Sequence, residues 1–185
     1  MYPDTPEHQQ SFRKLIPSLH FALRTGKSGA TRLTGHRIPS QKEFTGKYIA
    51  QSVWTASLPE SENIENVISR PVEPVASLGK VLGNRTTLYK YLNPSAVVVL
   101  TSSLKSTPPT CGVYLVDAAK GTTLYHSVLP AAGSVCDIKA AFTENWLVYS
   151  YYDNEVGVDQ AKSHRIVSVE FYEGQGIDAK TSRQV

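Results

Sequence analysis

Apolar and polar positions alternate in short bursts along most of the chain, and Gly, Pro, Asn, Asp and Ser separate the bursts. That period predicts strands joined by tight turns rather than long helices. Over 19–38, an apolar run beginning Leu-His-Phe-Ala-Leu is followed by Gly26 and Gly29 and then a second run ending before Pro39. Glycine tolerates the positive φ that a chain reversal needs, so a hairpin is expected. Residues 47–58, with Tyr48, Ile49, Val53 and Trp54, suit another strand. A further run at 67–74 is short and broken by Pro71 and Pro74.

The second half is more regular. Residues 96–101, Ala-Val-Val-Val-Leu-Thr, are dense in β-branched side chains and unbroken by polar groups, as in a strand buried on both faces. Runs at 112–116, 122–129, 135–142, 146–152 and 165–172 follow, each bounded by turn residues, and the six together predict an antiparallel meander. One turn can be read in detail. In Val116-Asp-Ala-Ala-Lys-Gly-Thr122 the Asp117 carboxylate can accept backbone N–H groups while Gly121 takes the left-handed position. Helix is expected only at 6–16, where Thr5 can cap and Phe12, Leu15 and Ile16 share a side. The fold class expected from the pattern is mainly β; the Asp117–Gly121 turn followed by an apolar strand resembles the repeated turn of quinoprotein-like β-propellers, and that resemblance implies sheets of β-propeller blade type.

Composition narrows the class. With 185 residues, 41% hydrophobic and 19% charged, the chain can bury a core and is not a solvated, disordered one. Its net charge of +3 is spread without a basic block, which argues against nucleic acid as a partner. No apolar run reaches the eighteen residues that a membrane helix needs, and residues 1–7 have neither the basic head nor the apolar core of a signal peptide.

Candidate chemistry is sparse. Gly26-Lys27-Ser28 lacks the earlier glycine of a phosphate loop, since position 21 is Phe. The histidines His8, His20, His36, His126 and His164 never fall at the i, i+4 spacing of a helical metal site. No Gly-x-Ser-x-Gly elbow occurs, and Asp153, Glu155 and Asp159 miss the order of a calcium loop. No catalytic residue, metal or cofactor is expected. Cys111 and Cys136 could pair in an oxidising compartment or stay as free buried thiols, and the residues leave both open. Asn84-Arg85-Thr86 is an N-glycosylation acceptor sequence, usable if exposed and lumenal. Leu88, Tyr89, Tyr91 and Leu92 are spaced for one helical turn or an irregular corner that Asn93-Pro94 ends. A packing corner is one reading of this stretch; a partner surface of Tyr89, Lys90 and Tyr91 is the other.

Leu-Gly-Asn-Arg at 82–85 and Tyr-Lys-Tyr-Leu-Asn-Pro at 89–94, running into the strand at 96–100, resemble the C-terminal lumenal region of the ER membrane protein complex subunit 1 family. The resemblance extends to 2–5, 70–74, 116–121, 144–151 and 169–174 in the same order. It implies one region of a longer subunit: a helical lead-in at 1–18, hairpin strands at 19–75, the signature corner at 76–95, a blade-like meander at 96–174 and a tail at 175–185, as part of an incomplete propeller. It implies a non-catalytic scaffold on the lumenal side of the ER membrane, in a complex that inserts tail-anchored and multi-pass proteins. Other subunits of the complex are the expected partners, client membrane proteins are conceivable ones, and membrane contact is expected only through parts of the subunit outside these residues. The Asp117 turn alone also resembles quinoprotein-like propellers, so a fragment of such an enzyme, or a free-standing propeller-like adaptor for peptides, are the alternatives.

Overall fold

A computed structural model of the chain describes residues 5–27, 31–40, 47–59, 61–71, 73–133, 135–154 and 162–174. Helix α1 (Pro6–Leu15) starts where Thr5 Oγ1 accepts the His8 N–H, with Pro6 in its first turn and Arg13 and Lys14 in its last. Each of these choices suits an end of a helix dipole. No residue of α1 is buried; Ile16, in the 3-10 turn that follows (Ile16–Ser18), is the first to reach the core, whereas Leu15 stays exposed.

The first sheet contains β1 (His20–Thr25), β2 (Arg32–Arg37) and β3 (Gln51–Ser57), joined antiparallel in that order. Gly26, at φ 94, opens the expected β1–β2 reversal; Gly29 and Ser28 lie outside the described residues. Next come β4 (Asn63–Ser69), a small hairpin of β5 (Gly79–Val81) and β6 (Thr87–Tyr89), and then β7 (Ala96–Ser103), β8 (Thr110–Asp117) and β9 (Thr122–Pro130). Strands β4, β7, β8 and β9 form a four-stranded antiparallel sheet in that order. The last sheet has β10 (Lys139–Thr143), β11 (Trp146–Asp153) and β12 (Ser163–Glu170).

Strand β7 explains how these sheets stack. Every one of its residues is buried. Because successive side chains leave opposite faces, Val97 and Val99 join Ala22, Leu33, Ile64 and Val116 in a core toward the first sheet. Ala96, Val98 and Leu100 join Val113, Leu115, Phe142 and Leu147 in a core toward the last sheet. The four-stranded sheet is therefore a middle layer covered on both faces. These are antiparallel sheets of propeller-blade type, and among the described residues they do not close into a ring.

Three details depart from the sequence reading. The expected six-strand meander divides between two sheets, β7–β9 completing the middle one with β4, and β10–β12 forming another. The strand expected at 135–142 is only Lys139–Thr143, because Gly133, at φ 67, and an Ala132–Val135 bridge make a turn there and Cys136 is tied to Cys111. The stretch at 88–92 holds no helical turn: Leu88 and Tyr89 end β6, Lys90 makes an isolated bridge to Tyr172, and Tyr91 and Leu92 are irregular.

Candidate functional site

The signature stretch is a joint. The Tyr91 N–H donates to the Phe171 carbonyl at 3.0 Å, the Glu173 N–H donates to the Tyr89 carbonyl at 2.9 Å, and Lys90 bridges Tyr172. Lys90 Nζ also pairs with Glu144 Oε2 at 2.5 Å, both side chains largely buried. Glu144 sits in the β10–β11 turn at φ 47, and its carbonyl accepts Arg70 Nη1 at 3.2 Å. Burial lowers the Arg70 pKa, and the Glu144 carboxylate partly opposes that. Next to it, the wholly buried Asn145 exchanges bonds with Phe171: its Nδ2 donates to the Phe171 carbonyl and its own carbonyl accepts the Phe171 N–H, each at 2.9 Å. Asn93 Nδ2 donates to the Tyr91 hydroxyl at 3.0 Å, while its Oδ1 accepts the Ser95 N–H at 2.9 Å and leads the chain into β7. Tyr89, Lys90 and Tyr91 are all half-buried in this joint, and the Lys90 ammonium is occupied within the chain.

A second polar group lies under the middle sheet. Glu62, just ahead of β4, accepts the Tyr114 hydroxyl at 2.9 Å to either oxygen and also accepts the Thr101 hydroxyl. Tyr114 stacks on His126, ring centroids 4.0 Å apart. Burial first, then the Glu62 carboxylate, push the Tyr114 hydroxyl well above its ordinary range. Across the other core the Tyr125 and Tyr149 hydroxyls meet at 3.1 Å, and burial chiefly pushes Tyr149 up to about 12. Phenols held neutral in this way are donors to fixed acceptors, not bases poised near neutral pH. His126 contributes a ring face here, so tyrosine, histidine and glutamate do not form a proton relay.

The remaining sequence candidates are dispersed. Asp117 does what its turn requires: Oδ1 accepts the Ala119 N–H at 2.8 Å, its carbonyl accepts the Gly121 N–H at 2.7 Å, and Gly121 sits at φ 75. Asp153 pairs with Arg165 at 3.3 Å, while Glu155 and Asp159 lie outside the described residues. His8 bonds Thr5, His36 stacks on Phe21, and His164 meets Tyr152 edge-on. Among the described residues no three His, Cys, Asp or Glu side chains converge to hold a metal. Cys111 in β8 and Cys136 in the β9–β10 link are joined as a disulfide with Cα atoms 5.7 Å apart. Beside Cys136, an open cleft of about 300 Å³ separates β4 from β10 and is lined by Glu65, Asn66, Leu100 and Ile138. Ser102 donates to Glu65 at 2.5 Å, so this carboxylate too has an internal partner. Asn84, Arg85 and Thr86 are exposed at the tip of the β5–β6 hairpin, apart from all of these groups.

Glu62 was not singled out from sequence, Trp54 was read only as a strand residue, and Arg70 and Glu144 entered only as the first residues of stretches 70–74 and 144–151. A tryptophan in a strand otherwise half exposed was the one available signal for Trp54. It donates Nε1–H to the Ala118 carbonyl at 2.9 Å and fills the space beside two glycines: a Cβ on Gly35 would lie 2.0 Å from its ring, and one on Gly121 2.7 Å. The first sheet is thereby fastened to the β8–β9 turn.

Comparison with known proteins agrees with this architecture. The whole chain, residues 1–185, matches the family described as "ER membrane protein complex subunit 1, second beta-propeller". The Xenopus laevis protein named ER membrane protein complex subunit 1 is 30% identical over 177 residues, covering 94% of this chain and 16% of that protein. Its Schizosaccharomyces pombe counterpart is 37% identical over 128 residues, covering 69% of this chain and 14% of that protein. The Gallus gallus counterpart is 30% identical over 177 residues, again with 94% and 16% covered. The chain thus spans about a sixth of the length of these curated relatives. With its blade-type sheets and a match along its entire length, the chain belongs to the ER membrane protein complex subunit 1 family.

Proposed function

We propose that this chain is a non-catalytic, lumenal scaffold region of the ER membrane protein complex, holding other subunits in place while the complex inserts tail-anchored and multi-pass proteins. The observation that carries the reading is the match of the entire chain to a family named for that complex. Two features of the chain support it. Its half-buried carboxylates Glu62 and Glu144 and its tyrosines Tyr114, Tyr125 and Tyr149 each have a partner within the chain, which suits packing rather than a reaction. Its disulfide is of a kind that persists in oxidising compartments such as the ER lumen. No helix among the described residues is long and apolar enough to cross a membrane. A quinoprotein-like enzyme gains nothing from the Asp117 turn, whose groups are consumed by its own backbone.

The test complements cells lacking the subunit with full-length wild-type protein or Trp54→Ala. It measures assembled complex and insertion of a tail-anchored client in the same membranes. For a scaffold, insertion falls in proportion to the complex lost. Loss of insertion with the complex fully assembled would show instead that this region acts on clients directly.

A further inference from the structure

We infer that Asn84 is a site of N-linked glycosylation and that the β5–β6 hairpin faces open lumen in the assembled subunit; this rests on the lumenal reading above. Asn84-Arg85-Thr86 is the sole Asn-x-Ser/Thr triplet in the sequence without Pro in the middle, Asn93-Pro94-Ser95 being barred by its proline. The fold displays it. Loop residues 82–86 close on themselves through Leu82 N–H to the Thr86 carbonyl at 2.8 Å and Arg85 N–H to the Leu82 carbonyl at 2.9 Å. Asn84 Oδ1 accepts both the Thr86 N–H at 3.1 Å and the Thr86 hydroxyl at 2.6 Å, while Nδ2 has no partner among the described residues. Residues 82–87 are all exposed, and a Cβ built on Gly83 would meet nothing within 4 Å. A sugar on Nδ2 therefore displaces no packed group and breaks no long-range bond.

The co-reactant is a polyprenyl-pyrophosphate-linked oligosaccharide, with an ER transferase supplying the base. Nδ2 forms a bond to the anomeric carbon, the bond from that carbon to the pyrophosphate oxygen breaks with its electron pair, and one amide proton passes to the base. The product matters for assembly, because a bulky hydrophilic glycan cannot be buried in a protein interface. It gives Leu82 and Val81, the latter 72% exposed, a solvated neighbour in place of a partner subunit. Docking surfaces then lie elsewhere on the molecule.

The experiment uses full-length protein made in ER membranes, with digestion by a peptide-N-glycosidase, which hydrolyses the amide bond to the glycan, followed by mass spectrometry of the peptide carrying Asn84. Sealed microsomes from the same preparation are treated with protease. The expected result is an Asn84 peptide converted to Asp by deglycosylation, one glycan fewer in Asn84→Gln and in Thr86→Ala, and the glycan retained in Thr86→Ser. An Asn84 peptide recovered only unmodified, from a chain protected against the protease, overturns the site and leaves the lumenal reading standing. An unmodified peptide from a chain that the protease digests overturns both.

Discussion

Trp54 and the two glycines beside it act as one unit at the scale of single residues. Replacing Trp54 with Ala removes an indole packed between two sheets and its bond to Ala118, an expected loss of about 3 kcal/mol. Gly35→Ala should cost roughly 1–3 kcal/mol, because its methyl would overlap the ring and force it aside. Since both changes act through the same ring, their effects should not add: in the Trp54→Ala background the Gly35 substitution should be nearly silent. Urea unfolding of the four proteins measures this, and full additivity would refute the shared mechanism. The tyrosines give a second expectation. An unfolded tyrosine titrates near 10, whereas Tyr149 is held up to about 12 and Tyr114 higher still. Stability from these neutral hydroxyls is complete below about pH 10 and is lost as pH rises toward 12, because the unfolded chain releases its protons first. The urea midpoint should hold between about pH 8 and 9 and fall by about pH 11; a constant midpoint would contradict it. The Asp117–Gly121 turn was legible in the sequence because all its bonds are local. Glu62, Arg70 and Glu144 were not, for their partners lie 39, 74 and 54 residues away, where no spacing rule reaches.

Elements follow the same division between local and distant causes. Strand β7 could be read directly, since a run buried on both faces contains no polar alternation. The six-strand reading failed at the β9–β10 link, where a covalent bond to β8 outweighs the strand preference of 135–138 and turns the chain into another sheet. The stretch at 88–92 was only partly readable for a related reason: its apolar spacing allows a helical turn or an irregular corner, and backbone pairing of Tyr89 and Tyr91 with Glu173 and Phe171 decides against the helical turn. The disulfide closes a loop of 25 residues, for which restriction of the unfolded chain is worth roughly 3–4 kcal/mol. Reduction under native conditions should lower the urea midpoint accordingly and loosen β10 first, detectable as faster amide exchange in Lys139–Thr143 than in β7. Equal exchange in both strands after reduction would count against the link as the anchor of the last sheet.

On the scale of the whole molecule, the three larger sheets are held by a few fasteners: Trp54 between the first sheet and the β8–β9 turn, the disulfide between β8 and the β9–β10 link, and the Lys90–Glu144 pair between the end of the β5–β6 hairpin and the β10–β11 turn. Mainly β architecture was readable from turn spacing, blade type came from the resemblance of the Asp117 turn, and the signature residues led to the family. Which surface meets other subunits was not readable, because interfaces differ little in composition from the rest of a surface. The outer edge of the last sheet, β12, leaves Ile166 77% exposed and has no paired strand beyond it among the described residues. A region whose task is to hold shape is sensitive to its fasteners and tolerant of changes that preserve them. Lys90→Glu sets two carboxylates together in a largely enclosed site and should cost roughly 1–3 kcal/mol, between the values for exposed and buried pairs.

Tagged full-length protein purified from solubilised ER membranes, as wild type, Lys90→Glu, Glu144→Lys and the double exchange, puts the scaffold role to the test through recovery of the complex's other subunits. Wild type should recover them, each single change should reduce recovery, and the double exchange should restore much of it because the pair is internal to the chain. Absence of those subunits from the wild-type purification would contradict the scaffold role outright. A double exchange that folds but stays alone would place Lys90 or Glu144 at a partner surface instead.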